Sequence, residues 1–289
     1  MIHLTHGDLT LDLLDPASDQ VLQGTRYCWG GYIWQVNDAR CGPLLRGPQW
    51  PNPAPDPFNG QGLPESFRVR TLEGRPLTWN GSEGVMIGGG TVRANAYGKI
   101  EMVEPCRWEI TRQANRLTFR TGQQAFGYAY ELVRKIELEG RTLTSSTLLT
   151  NHATTPLQLE WFPHPFYALS DRLIRVDLPP GCTMGENPGF SLEGTTLRLK
   201  QAFHGELDGH MDHLRTPATG GIKVRLSHPQ LEAMEFETSY IPSECPIWAN
   251  GLTFSIEPYL ASALPPGQSL RWSLRHGFGH PKGKSATAP

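Results

Sequence analysis

Tyr128–Leu169 reads YAYELVRKIELEGRTLTSSTLLTNHATTPLQLEWFPHPFYAL. Apolar side chains alternate at Tyr128, Tyr130 and Leu132, and Glu139-Gly140-Arg141 then turns the chain. Leu143–Thr150 is rich in Leu and Thr with little helical periodicity. Asn151–Pro156 is turn-like in composition, and Leu157–Phe162 alternates again. Period-two patterning cut by Gly, Asn and Pro predicts three consecutive antiparallel strands. The third runs into Phe162-Pro163-His164-Pro165-Phe166, where one imidazole stands between two prolines. Proline fixes its own φ and restricts the residue before it, so His164 is presented from a stiff backbone. A half-buried histidine at a strand end and a functional imidazole both fit that pattern.

The same rhythm runs outward in both directions. Towards the N-terminus, strands are expected at Leu9–Leu13, Phe67–Leu72, Gly84–Ile87, Thr91–Tyr97, Ile100–Val103, Trp108–Gln113 and Leu117–Thr121. Towards the C-terminus they are expected at Ile174–Leu178, Ser191–Lys200, Ile222–Leu226, Ala233–Tyr240 and Leu270–Leu274. Turn signals about every ten residues are the spacing of an all-β sandwich. With 31 glycines and 25 prolines in 289 residues, long helices are disfavoured. No linker divides the chain, so residues 1–279 are expected to form a single domain. The polar stretch His280–Pro289 is expected to be a disordered tail.

Several function classes are excluded by composition. A net charge of −2 offers no electrostatic case for nucleic acid or an anionic membrane. No apolar run approaches the roughly 18 residues of a spanning helix, and the opening residues are not a signal peptide. A cytoplasmic location is therefore expected. The five cysteines are odd in number and scattered, without CxxC spacing, so neither a disulfide framework nor a zinc site is indicated. Gly88-Gly89-Gly90 lacks the spacing of a phosphate-binding loop.

Four further stretches carry candidate chemistry. Gly24–Val36 is aromatic around a Gly pair, and Arg26 there is either a sugar ligand or a cation stacked on a neighbouring ring. Gly42–Phe67 contains seven prolines and is expected to be an extended loop. Its Trp50, Phe58, Asn59, Gln61 and Glu65 combine aromatic faces with hydrogen-bonding groups, the mixture that binds a sugar. His204–His213 concentrates ionisable groups as a solvated acidic turn, a metal site of unusual spacing, or a ligand-binding element. Thr253–Tyr259 ends an apolar strand in Glu257-Pro258, where desolvation can raise a carboxyl pKa.

Taken in order, these stretches resemble the aldose 1-epimerase (galactose mutarotase) superfamily. The resemblance rests on the strand entering His-Pro-Phe at His164, on Asp212-His213-Leu214, and on Glu257-Pro258-Tyr259 followed by Leu264-Pro265-Pro266-Gly267. It implies a single-domain all-β supersandwich of large twisted antiparallel sheets with a concave sugar site. It implies Glu257 as general base, His164 as general acid, and Asp212 as a ligand for sugar hydroxyls. Gln61, Arg26 and Arg46 would orient hydroxyls, and Glu65 and Trp50 would complete the site. No metal or cofactor is implied, and the partner is a small-molecule sugar bound by a monomer or homodimer. One departure stands out. The family carries a second histidine in a His-Gly element, and Gln61-Gly62 stands in its place. An amide donates a hydrogen bond but carries no mobile proton. The alternatives are a non-catalytic sugar-binding or regulatory protein of the same fold, and an enzyme for an anionic sugar.

Overall fold

A computed structural model describes residues 1–51, 60–71, 73–170, 173–205 and 207–283. Apart from one 3-10 turn at Gln20–Leu22, the regular elements among these are all strands. None of the described elements is a helix long and apolar enough to cross a membrane.

The pleat of the opening stretch builds the largest layer. In the strand Tyr128–Glu139, Tyr130, Leu132, Ile136 and Leu138 are buried on one face. Thr142–Asn151 pairs with it antiparallel and buries Leu143, Ser145, Thr147 and Leu149. The sheet continues through Arg116–Ala125 to Glu109–Gln113 on one side. On the other side it passes through Ser269–Phe278, Met234–Thr238, Lys223–Leu226, Arg175–Asp177 and Thr196–Leu199 to Phe190–Glu193, ten strands in all. Each leucine fully buried on its inner face stabilises the fold by roughly 1.5–3 kcal/mol before chain entropy is charged.

Two smaller sheets lie over that inner face. One is ordered Leu260–Leu264, Leu157–Pro163, Glu65–Phe67; the other Tyr167–Ala168, Thr253–Ile256, Pro246–Asn250, Gly209–His213. Ring contacts join the layers, with Trp161 to Trp272 at 5.2 Å and Tyr167 to Phe236 at 6.4 Å between centroids. An N-terminal sheet of Ile2–His6, Leu9–Leu13, Ile33–Asp38 and Gly42–Pro43 extends the same core. A three-stranded sheet of Glu83–Met86, Gly90–Ala94 and Ile100–Pro105 packs around Trp29 and Trp79.

The three opening strands match their expected limits to within about a residue. Others differ. The Gly42–Phe67 segment, read as an extended loop, begins and ends in the short strands Gly42–Pro43 and Glu65–Phe67. Part of the stretch expected as a tail is bonded to the domain. Leu231 and Pro281 form a bridge, and Lys282 donates its backbone N–H to Gln230 O at 2.8 Å. Residues 284–289 of the expected tail lie outside the described residues.

Candidate functional site

His164 sits where one small sheet hands over to the other. Its strand, Leu157–Pro163, pairs with Glu65–Phe67 through Phe162↔Ser66 and Pro163↔Glu65. The chain then runs unpaired through His164–Phe166 before Tyr167 joins Phe254. The backbone hydrogen bonds of that short link go to the Pro-rich segment instead. His164 N donates to Pro64 O and Phe166 N to Gly62 O, both at 2.9 Å, and Arg46 N donates to Phe166 O at 3.1 Å. The described ends of the Gly42–Phe67 segment thus lie against the His164–Phe166 link. Gly62 lets the same segment press against the strand Ile33–Asp38: it sits at φ +81°, and a Cβ there would stand 2.1 Å from Ile33 O.

Glu257 arrives from the other sheet. Ile256 points into the core, so its successor points to the opposite face. Glu257 N is tied to Pro246 O at 2.8 Å, and Pro258 follows. His164 Nε2 then lies 3.3 Å from Glu257 Oε1, with Nδ1 3.4 Å from Ser255 Oγ. Ser255 also hydrogen-bonds the Glu257 carboxyl, so its hydroxyl links both members of the pair.

Both members of this dyad are buried, His164 at 5% exposure and Glu257 at 7%. Burial dominates the electrostatics. It pushes the Glu257 carboxyl up to about 7 against the opposing pull of Arg26, Ser255 and Arg68. It holds the His164 imidazole well below its ordinary value, with Arg26 acting in the same direction. A carboxylate beside an imidazole ordinarily favours the charged pair, but here the lost hydration of both groups outweighs their attraction. Below pH about 7 a proton therefore rests on Glu257 while His164 is neutral.

Aromatic rings enclose the dyad. Phe166 stacks on His164 at 4.6 Å and 18°, while Tyr27 and Trp248 each stand 6.1 Å away at steep angles. Phe162 is 6.3 Å from His164 and stacks flat on Tyr259 at 4.4 Å. Arg68 donates to the Tyr259 hydroxyl at 3.3 Å and pairs with Glu160 at 3.2 Å. Arg26 lies 5.2 Å from the Tyr27 ring centroid, and its backbone carbonyl accepts from Ser66 Oγ at 2.7 Å. It is the stacked cation of the sequence reading, and its charge acts on both dyad members.

The other expected site residues divide. Arg46 is exposed with its backbone bonded beside the dyad, and Trp50 is half-buried against the Tyr27, Tyr32 and Trp34 cluster. Gln61 is fully buried and its amide is already engaged. Oε1 accepts from Gly47 N, and Nε2 donates to Trp34 O at 3.0 Å. It joins the two ends of the Pro-rich segment and presents no donor to a ligand, which corrects the sequence reading.

Glu65 is likewise corrected. It is buried at 3% exposure and paired to the buried Arg134, with Ser145 Oγ donating to the same carboxylate oxygen at 2.8 Å. Asp212 is corrected by register. It lies opposite Ile247, which lies opposite Ile256, so its side chain shares the core-facing side and turns away from the dyad. It contacts His210 at 3.5 Å. Among the described residues no three potential ligands converge as a metal cluster. Phe58 and Asn59 lie outside the described residues, as does Glu206 of the ionisable stretch.

Sequence reasoning missed Ser255 and Trp248. Ser255 sits two residues before Glu257, and strand alternation alone places both on one face. Trp248 lies on Pro246–Asn250, whose five residues give too short a pattern to read.

Comparison with known proteins reveals relatives by structure alone. No protein-family model matches the chain, and no curated protein matches it by sequence. A galactose mutarotase related enzyme from Lactobacillus acidophilus superposes with a TM-score of 0.63 at 14% identity, covering 96% of this chain and 97% of that one. A galactose mutarotase-like protein from Lactobacillus casei gives 0.61 at 15% identity, covering 96% and 99%. One from Clostridium acetobutylicum gives 0.55 at 12% identity, covering 96% and 94%.

Proposed function

We propose a function from the galactose mutarotase-like fold, which the chain has over nearly its whole length. We propose that it is an aldose 1-epimerase-like mutarotase, interconverting the anomers of a sugar at the His164–Glu257 dyad. The observation that carries this reading is the 3.3 Å contact between Nε2 and Oε1, delivered from two different sheets into an aromatic enclosure.

The chemistry asks for little more. A cyclic hemiacetal opens when the proton leaves the C1 hydroxyl, the bond from C1 to the ring oxygen breaks, and the ring oxygen takes up a proton. The electrons of the hydroxyl bond become the carbonyl π bond, and those of the broken bond stay on the ring oxygen. Rotation about C1–C2 and the reverse steps give the other anomer. Both oxygens are bonded to C1, so an acid and a base that stand side by side can serve them together. In the reacting form Glu257 is the carboxylate that takes the hydroxyl proton and His164 carries the proton supplied to the ring oxygen, a minor arrangement of the one proton that rests on Glu257 below pH about 7. Moving that proton from His164 to Glu257 leaves the count unchanged, so the pair titrates as a unit carrying one exchangeable proton.

Polarimetry of freshly dissolved anomers tests the proposal. The protein should speed the equilibration of at least one aldose, with a bell-shaped pH dependence. Its alkaline limb should fall as pH rises through about 7, where the pair loses its proton. Its acid limb should lie well below the ordinary histidine range, where a second proton is added. Equilibration at the buffer rate, with sugars nevertheless bound, would favour the non-catalytic binding protein.

A further inference from the structure

The face that carries the dyad continues as a row of side chains towards solvent. Ser255 lies opposite Trp248, and Trp248 opposite Met211, across three adjacent strands. Directly opposed residues point to the same side of a sheet, so all three face the side on which Ser255 meets His164. Exposure rises along the row. Ser255 is inaccessible, Trp248 is half-buried and Met211 is 57% exposed.

Trp248 differs from the other rings around the dyad in what covers it. Phe166 is inaccessible, stacked on His164 and approached by Gly60, where a Cβ would stand 2.7 Å from the ring. Phe162 and Tyr259 cover each other, and Tyr27 is 4% exposed. The rings near Trp248 are His164 and Phe166, inclined at 65° and 83°, so neither lies flat on the indole. Adjacent strands are about 4.8 Å apart, close to the width of a pyranose ring.

Building on the mutarotase reading, we infer that Trp248 is the substrate-stacking residue. Its indole takes the C–H face of a neutral pyranose and so brings C1 against His164 and Glu257. Such a ring offers an apolar face with a polar rim, and the half-exposed indole matches the face. Stacking of this kind acts on the bound sugar and on the opening transition state alike, because the C2–C5 face is still present as the ring opens. It therefore governs KM more than kcat.

The experiment compares wild type, Trp248→Phe, Trp248→Leu and Trp248→Ala by polarimetry over a panel of aldopyranoses, after urea unfolding has shown which variants are folded. The expected result is a KM raised on the order of 10–100-fold in the Leu and Ala variants, with kcat within about threefold, and most of the loss recovered by Phe. Leu keeps apolar bulk without a ring, so it separates stacking from packing should the Ala variant fail to fold. An unchanged KM in the Leu variant, or a fall confined to kcat, would overturn the inference and leave the mutarotase reading standing. If wild type accelerates no aldose, the mutarotase reading fails instead. Calorimetric titration with the same sugars then decides the stacking, which equal affinities of wild type and Trp248→Leu would refute.

Discussion

Glu65 and Glu257 are both buried glutamates set beside a proline, yet the molecule treats them oppositely. Glu65 follows Pro64 and faces Arg134, whose guanidinium also donates to Gly30 O at 2.6 Å and Ser145 Oγ at 2.9 Å. Glu257 precedes Pro258 and faces an imidazole that burial keeps neutral. Burial raises both carboxyls, but for Glu65 a permanent cation in direct contact is the largest opposing influence. Arginine cannot give up its charge under ordinary conditions, so Glu65 is bound to a fixed cation and becomes a structural part. Glu257 faces a titratable partner in His164, and its carboxyl is pushed up to about 7, where its proton exchanges near neutrality. Buried carboxylates are thus told apart by how completely their partners compensate them, and only an incompletely compensated one is suited to moving protons.

Breaking the compensated side should give the largest stability effect. Arg134→Met leaves Glu65 buried without its cation, and unfolding in urea should show a loss of about 3–5 kcal/mol. Replacing both partners with apolar residues, as in Glu65→Leu with Arg134→Met, should recover much of that loss, because no unpaired charge remains. A loss in the single variant no larger than an ordinary surface change would show that Glu65 and Arg134 do not depend on each other as described.

The uncompensated side should respond with the opposite sign. The folded protein holds a proton on Glu257 up to about 7, whereas the unfolded chain releases it near the ordinary glutamate value of 4.5. The stability this group contributes is fully present below pH about 4.5 and is lost as pH rises through about 7. At pH 8 the full penalty of the buried charge applies, so Glu257→Gln should be more stable than wild type there, by on the order of 2–3 kcal/mol. Denaturant midpoints at pH 5 and pH 8 check this, and the difference between variant and wild type should shrink at the lower pH. Equal midpoints at pH 8 would mean that Glu257 carries no desolvation penalty.

Asp212 should mark the small end of the scale. It is a partly exposed edge-strand residue facing away from the dyad, so Asp212→Asn should change sugar affinity and stability by less than about 0.5 kcal/mol. Calorimetry showing a tenfold or greater loss of sugar affinity would restore the role that its sequence context suggests.

Much of this architecture was legible in the sequence because alternation is a local signal. The strands flanking Gly140 and Asn151 carry their pleat in their own residues, and the prolines about His164 mark the end of the third strand. The signatures at His164 and Glu257 were legible for the same reason. What was not legible depended on partners far along the chain. Arg134 and Glu65 are 69 residues apart, and only the fold brings them together. A hint existed, since Arg134 occupies an inward position between Leu132 and Ile136, where a charge requires a buried partner. Gln61 reads as a loop amide until the fold sets Trp34 O and Gly47 N against it. Asp212 depends on a register with Ile247 that short strands leave unspecified.

The account rests most heavily on proton exchange by the dyad, and polarimetry of Glu257→Gln beside wild type tests it most directly. The amide keeps the shape of the site and its hydrogen bonds but accepts no proton. The rate of anomer exchange should fall by roughly 10²–10⁴-fold while sugar affinity, read by calorimetry on the same samples, changes little. Wild-type activity surviving in Glu257→Gln would contradict the account.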